Sequence, residues 1–80
     1  MIMSSPREMD PPYLRVAAWL RNEIKAGRLQ PGDQVPSATQ LGEQFSVSRN
    51  TALRALKVLK EEGLIVTQRG WGSFVSGDPR

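Results

Sequence analysis

Neither a cysteine nor a histidine occurs in this chain of 80 residues, so no disulfide, thiolate metal site or imidazole zinc set can staple it. A domain this small buries only about 60% of the surface its unfolded chain exposes, and apolar packing alone has to hold it. The 39% apolar content suffices for one small core and excludes a second domain. The same absences remove imidazole acid/base chemistry and thiol nucleophiles, and the carboxylates are scattered along helix faces. No catalytic residue, metal site or cofactor site can be assembled, and an enzyme is not expected. The N-terminal MIMSSPREMDPP lacks the apolar run of a signal peptide, and no stretch approaches the roughly 20 apolar residues that span a bilayer. A soluble, cytoplasmic protein with no membrane partner is expected.

Three stretches carry helical periodicity. Residues 1–11 hold three methionines, two serines and two prolines without a repeat, and read as a flexible N-terminal tail. From Pro12, the apolar residues Tyr13, Val16, Ala17, Leu20 and Ile24 follow one helical face, with Pro12 tolerated in the first turn and Gly27 a natural terminator. Trp19 falls at the margin of that stripe, where a tryptophan either shields the core edge or faces a partner. Leu14 and Ala18 share the opposite flank, as part of a dimer contact or as isolated exposed apolar residues. GRLQPGDQVPS follows as a loop with a turn at Pro31-Gly32 and a very short strand at Gln34 to Val35. Ser37 and Gln40 form a capping-box pattern that starts a second helix over about 37–45, built on Leu41 and Phe45. The chain then turns through Ser46 and Val47 to Ser48, which can cap a third helix.

The third helix is the most informative element. On a helical wheel Ala52, Ala55, Leu56 and Leu59 gather on one side and Asn50, Arg54, Lys57 and Glu61 on the other, with Arg49 and Leu53 between. The small alanines let the helix lie close against its predecessor, and the polar face begins where helix amides can hold a phosphate. Charge points the same way. In residues 1–47, Arg7, Arg15, Arg21, Lys25 and Arg28 cancel Glu8, Asp10, Glu23, Asp33 and Glu43. The whole net charge of +3 therefore lies in residues 48–80, where six basic residues face three acidic ones. That placement suits a polyanionic partner, although a solvated helix face has the same appearance.

Side-chain type sharpens the reading. Arg49 and Arg54 can fork to guanine O6 and N7, Asn50 can pair bidentately with adenine, and Ser48, Thr51 and Lys57 suit phosphates. The plain alternative leaves Arg54 and Lys57 solvated, Asn50 a helix-start residue, and Lys57 or Lys60 paired with Glu61. Leu53 can touch a thymine methyl or pack under the next element. Gly63 ends the third helix, Leu64 to Gln68 reads as a strand, Arg69 to Gly72 as a turn, and Ser73 to Ser76 as the returning strand. In this wing Gly70 and Gly72 permit close backbone approach, so Arg69 can meet a minor groove or its phosphates. Trp71 is either a packing lid over the hairpin or a contact at its tip, the lid being the simpler role. The fold expected is mainly α with a small β-hairpin: a winged helix-turn-helix over residues 12–76, with 77–80 a C-terminal tail.

Taken together, PPYLRVAAWLRNEI, GRLQPGDQVPS, FSVSRNTALRALKVL and EEGLIVTQRGWGSFV, in this order and spacing, resemble the DNA-binding domain of the GntR family of bacterial transcription regulators, over about residues 11–75. The resemblance implies sequence-specific binding of double-stranded operator DNA, used for repression by blocking promoter access. It lands the family's arginine after Val47-Ser48 on Arg49, its next polar residue on Asn50, its threonine on Thr51, and its wing residues on Arg69 and Gly70. The chain departs from the pattern at two places. After Pro36-Ser37 it has Ala38 and Thr39 in place of an acidic residue and an arginine, which leaves Ser37 and Thr39 as weaker candidates for DNA contact. In the third helix Ala52-Leu53-Arg54 shifts the expected arginine by one place, which changes the base that is read.

Family members usually continue into a larger effector-binding, dimerising domain. Ending at Arg80, this sequence reads either as a minimal regulator or as the reading head of a longer one, and these residues offer no room for a small-molecule effector. Pairing as a homodimer on a palindromic operator follows from the family and from the weak affinity of one small module. The competing reading is a protein-interaction module in which Leu14, Ala18, Trp19 and Trp71 form the working surface.

Overall fold

The computed structural model describes residues 11–77. Three helices and a hairpin follow in order: α1 Pro12–Lys25, α2 Ala38–Phe45, α3 Arg49–Glu61, β1 Ile65–Gln68 and β2 Gly72–Val75. This is the winged helix-turn-helix expected. The expectation of a frayed tail over residues 1–11 falls almost wholly outside the described residues, as do positions 78–80.

Each helix begins and ends for a local reason. Pro12 occupies the first turn of α1, where a missing amide costs nothing, and Gly27 takes φ 84° just past its end. Ser37 starts α2 with a complete capping box: its Oγ accepts from the Gln40 amide at 3.1 Å, and its own amide donates to Gln40 Oε1 at 2.9 Å. Ser48 caps α3 by accepting from the Thr51 amide at 3.1 Å.

The stripes of the three helices meet in one core with β1 and β2. Val16, Leu20, Leu41, Leu59 and Ile65 are its largest fully buried side chains, and Ala52 and Ala55 are buried beside them. These two alanines have no bulk beyond Cβ, and α3 packs against both α1 and α2. Trp19 completes the edge of the core by packing edge-on to Phe45, with ring centroids 5.5 Å apart. Leu14 and Ala18, on the opposite flank from Trp19, are half-buried, so that flank is not an open apolar face. One exposed ion pair braces the bundle from outside: Arg21 on α1 forks to Glu62 at the end of α3, at 3.0 and 2.7 Å.

β1 and β2 are antiparallel with Ile65 opposite Val75 and Gln68 opposite Gly72. β1 begins one residue later than the expected Leu64–Gln68, because Leu64 is still bonded to the helix through its amide to the Leu59 carbonyl, and β2 lies one residue earlier than the expected Ser73–Ser76. The expected strand at Gln34 to Val35 is corrected to a single bridge, Gln34 opposite Phe74. Its neighbours nonetheless bond to β2: the Val35 amide donates to the Ser73 carbonyl, the Val75 amide to the Asp33 carbonyl and the Gly32 amide to the Val75 carbonyl. β2 is thus held along both edges, and the interhelical loop fixes the wing to the body.

Candidate nucleic-acid interface

The turn between α2 and α3 sets the pose of α3, and two residues make that turn possible. Ser46 adopts the left-handed conformation, φ 57° and ψ 45°, an uncommon state for a non-glycine residue. Gly42 lets the chain return closely: the Val47 amide donates to the Gly42 carbonyl at 2.9 Å, and a Cβ at Gly42 would stand 2.9 Å from the Val47 carbonyl oxygen. The N-terminus of α3 is thereby brought against α2. Thr39, Gly42, Glu43, Val47 and Arg49 line one cleft of about 250 Å³, so Thr39 and Arg49, distant in sequence, share a wall.

Along α3 the packing and outward faces separate cleanly. Ser48, Arg49, Asn50, Arg54 and Lys57 are exposed, and Thr51 is half-buried. Ser48 is engaged twice at Thr51, accepting from its amide and donating from Oγ to Thr51 Oγ1 at 3.0 Å. The Thr51 hydroxyl proton is therefore the one left to donate outward, and the amides of Arg49 and Asn50 lie in the first turn, where a helix has no internal acceptors. Ser37 is exposed, but its side chain is engaged in the capping box.

Arg54 lies apart from the others. Its guanidinium carbon sits 4.6 Å from the centre of the Tyr13 ring, which fixes it at the α1 edge of the outward face. The opposite edge faces the wing, where Leu53, Leu56, Lys57, Lys60, Thr67 and Ser73 line a cleft of about 220 Å³ between α3 and the hairpin. Neither lysine pairs with Glu61: among the described residues the ion pairs are Arg21–Glu62 and Arg28–Glu23. Leu53 borders the same cleft and remains 40% exposed, so it is not packed away beneath the hairpin.

The wing tip carries Arg69 and Gly70, both exposed, with Gly70 at φ 79°. Trp71 corrects the expectation of a lid, since it is 75% exposed at the tip and covers nothing. The core-facing positions of the hairpin are already filled by Ile65 and Val75, leaving the indole nothing to cap. Sequence reasoning passed over Lys60 as a surface-pair residue and did not single out Gln34, whose side-chain amide donates to the Trp71 carbonyl at 3.0 Å. No local signal marks Gln34, because its partner lies 37 residues away. Among the described residues no cluster of acidic side chains could hold a metal ion, and no helix is long and apolar enough to cross a membrane.

Comparison with known proteins agrees with this architecture. Residues 12–75 match the pattern of the GntR family, bacterial regulatory proteins. The chain is 42% identical over 66 residues to the HTH-type transcriptional repressor NagR of Bacillus subtilis (strain 168), covering 82% of this chain and 27% of NagR. It is 34% identical over 76 residues to the HTH-type transcriptional repressor YtrA of the same organism, covering 95% of this chain and 58% of YtrA. The chain thus spans less than two thirds of either curated relative. Each is named as a repressor, and neither as an enzyme. Among solved structures, the DNA-binding domain of AraR in complex with operator ORX1 superposes with a TM-score of 0.83 at 31% identity, over 94% of this chain and 93% of that one.

Proposed function

Because the chain belongs to the GntR family of bacterial regulatory proteins, we propose that it binds double-stranded operator DNA with sequence specificity and represses transcription by occupying the promoter. The observation that carries this reading is the uncovered outward face of α3, with Arg49, Asn50, Arg54 and Lys57 all exposed, joined at one edge to a hairpin bearing Arg69. A rigid rod of this kind enters a major groove while the neighbouring ribbon reaches phosphates or the minor groove. The likeness to a domain held on operator DNA supports the same pose.

In this pose Arg49 and Asn50 read base edges from the first turn of α3, assisted by its free amides. Ser48, Thr51 and Thr39 lie about that terminus and serve phosphates, with Thr51 the best placed donor, and Ser37 serves from the start of α2. Arg54, steered by Tyr13, contacts DNA from the α1 edge. Lys57 and its newly identified neighbour Lys60 line the seam toward the wing and follow the backbone. Arg69 and the bare Gly70 meet the groove beyond. Residues 12–76 form the DNA-binding unit and 1–11 and 77–80 flank it, and the family match over 12–75 supports those bounds.

Two copies pair on a palindromic operator, since one module with so small a reading face binds weakly alone. Effector sensing is not assigned to these residues, whose described clefts are open grooves at element junctions. A DNA partner places the protein in the cytoplasm. Selection of bound duplexes from a random pool tests the function: a recovered motif is expected, with mirrored half-sites if two copies bind, and a pool that never enriches would overturn the reading.

A further inference from the structure

Trp71 is the most exposed large apolar side chain among the described residues, at 75%, yet the backbone beneath it is held firmly. Its amide donates to the Gln68 carbonyl at 2.9 Å, and its carbonyl accepts from the Gln34 side chain at 3.0 Å. Gln34 is itself anchored by its bridge to Phe74. On either side stand Gly70 and Gly72, at φ 79° and 105°, so no flanking side chain crowds the indole. Arg69 supplies a cation two residues away.

We propose that Trp71, braced by Gln34, is an apolar wedge that enters the minor groove of the bound duplex and unstacks a base step. This deepens the DNA-binding reading and rests on it. Apolar side chains inserted from the minor groove kink the duplex, most easily at flexible pyrimidine–purine steps. An indole adds a ring nitrogen that donates to the acceptors on that groove's floor. Pre-set backbone geometry lowers the ordering cost of inserting it. A second copy of the chain is the less suitable occupant, because an indole flanked by two glycines and an arginine offers no continuous apolar patch.

The test uses a duplex recovered from the random pool, labelled in turn with 2-aminopurine at each adenine, with binding followed independently by anisotropy. Wild-type protein is expected to raise 2-aminopurine emission at one step beside the site read by α3. Trp71→Ala is expected to bind roughly tenfold more weakly, with that rise abolished. Its fold should persist, because the indole is exposed and Trp71 makes both tip hydrogen bonds with its own main-chain amide and carbonyl. Gln34→Ala, removing the brace, is expected to diminish the rise with Trp71 still present. A bound duplex with unchanged emission at every adenine, or a rise surviving Trp71→Ala, would overturn the wedge and leave DNA binding intact. Self-association of the free protein that Trp71→Ala abolishes would give the indole to a second copy and likewise overturn it. A failure of any duplex to bind would remove both readings.

Discussion

At the scale of single residues, the outward face of α3 is divided by what each side chain already touches. Arg54 rests on Tyr13, an exposed cation–π contact worth about 0.5–1 kcal/mol, and keeps that position unless DNA offers more. Arg49 has no ion-pair or hydrogen-bond partner among the described side chains and is free to turn to a base. Arg49→Ala is therefore expected to weaken operator binding by about 1–3 kcal/mol and to relax one base preference. Titration of the folded variant against the selected duplex and its single-base changes measures both, and an unaltered profile would remove Arg49 from the reading set. Side-chain chemistry made Arg49 and Asn50 legible from sequence, because their meaning lies in their own donors and acceptors. The parking of Arg54 on Tyr13 was not legible, since the two residues meet only when α1 and α3 pack.

At the scale of elements, the turn into α3 and the tip of the wing are the decisive pieces. A methyl added at Gly42 gains up to about 1 kcal/mol of helix propensity, but it meets the Val47 carbonyl oxygen at 2.9 Å. Backbone atoms yield poorly, and crowding of this kind costs about 1–3 kcal/mol. Gly42→Ala is expected to lose roughly 1 kcal/mol net, about 4–8 °C in melting temperature for a domain of this size. Thermal unfolding followed by circular dichroism checks it, and an unchanged midpoint would mean the turn can open without loss. For the wing, Arg69 is exposed and has no ion-pair partner among the described residues. Arg69→Ala should therefore act through phosphate charge, reducing the slope of log affinity against log salt by about one. The same slope in both proteins would take the wing off the DNA. Helix ranges and caps were close to their sequence expectations because Ser37, Ser48, Gly27 and Gly63 act locally. The strand expected at Gln34 to Val35 became one bridge, since pairing depends on where β2 lies.

At the scale of the whole molecule, Arg21 and Glu62 tie the first helix to the end of the third. The hydrogen bond from Arg21 holds the Glu62 carboxyl below its ordinary value, aided by the charges of Arg21 and Lys25 and opposed by partial desolvation. A carboxyl depressed in the folded state stabilises it above the unfolded pKa, and that contribution is lost as pH falls through the folded pKa. The pair is substantially exposed, with 30% and 38% side-chain accessibility, so screening limits it to about 0.5–1 kcal/mol despite its forked geometry. Glu62→Gln is expected to lower stability by that amount near neutrality, with the gap to wild type closing below about pH 4. Denaturant melts of both proteins across pH 2–7 measure the gap, and a gap independent of pH would show that the ion pair is not its source.

What the sequence determined by itself was whatever depends on near neighbours along the chain. The helical stripes, the capping serines, the glycine stops, the basic excess after residue 47 and the identity of the reading side chains are all of this kind. Only the tertiary structure decided which exposed groups share a surface. It set Thr39 beside Arg49, Lys60 on the wall facing Thr67 and Ser73, Arg54 on Tyr13, and Gln34 beneath a Trp71 that covers nothing. The physical reason is one of range. Periodicity and capping are set by interactions within a few residues, whereas these juxtapositions arise when α3 is pressed into the α1–α2 angle and the loop after α1 pairs with β2.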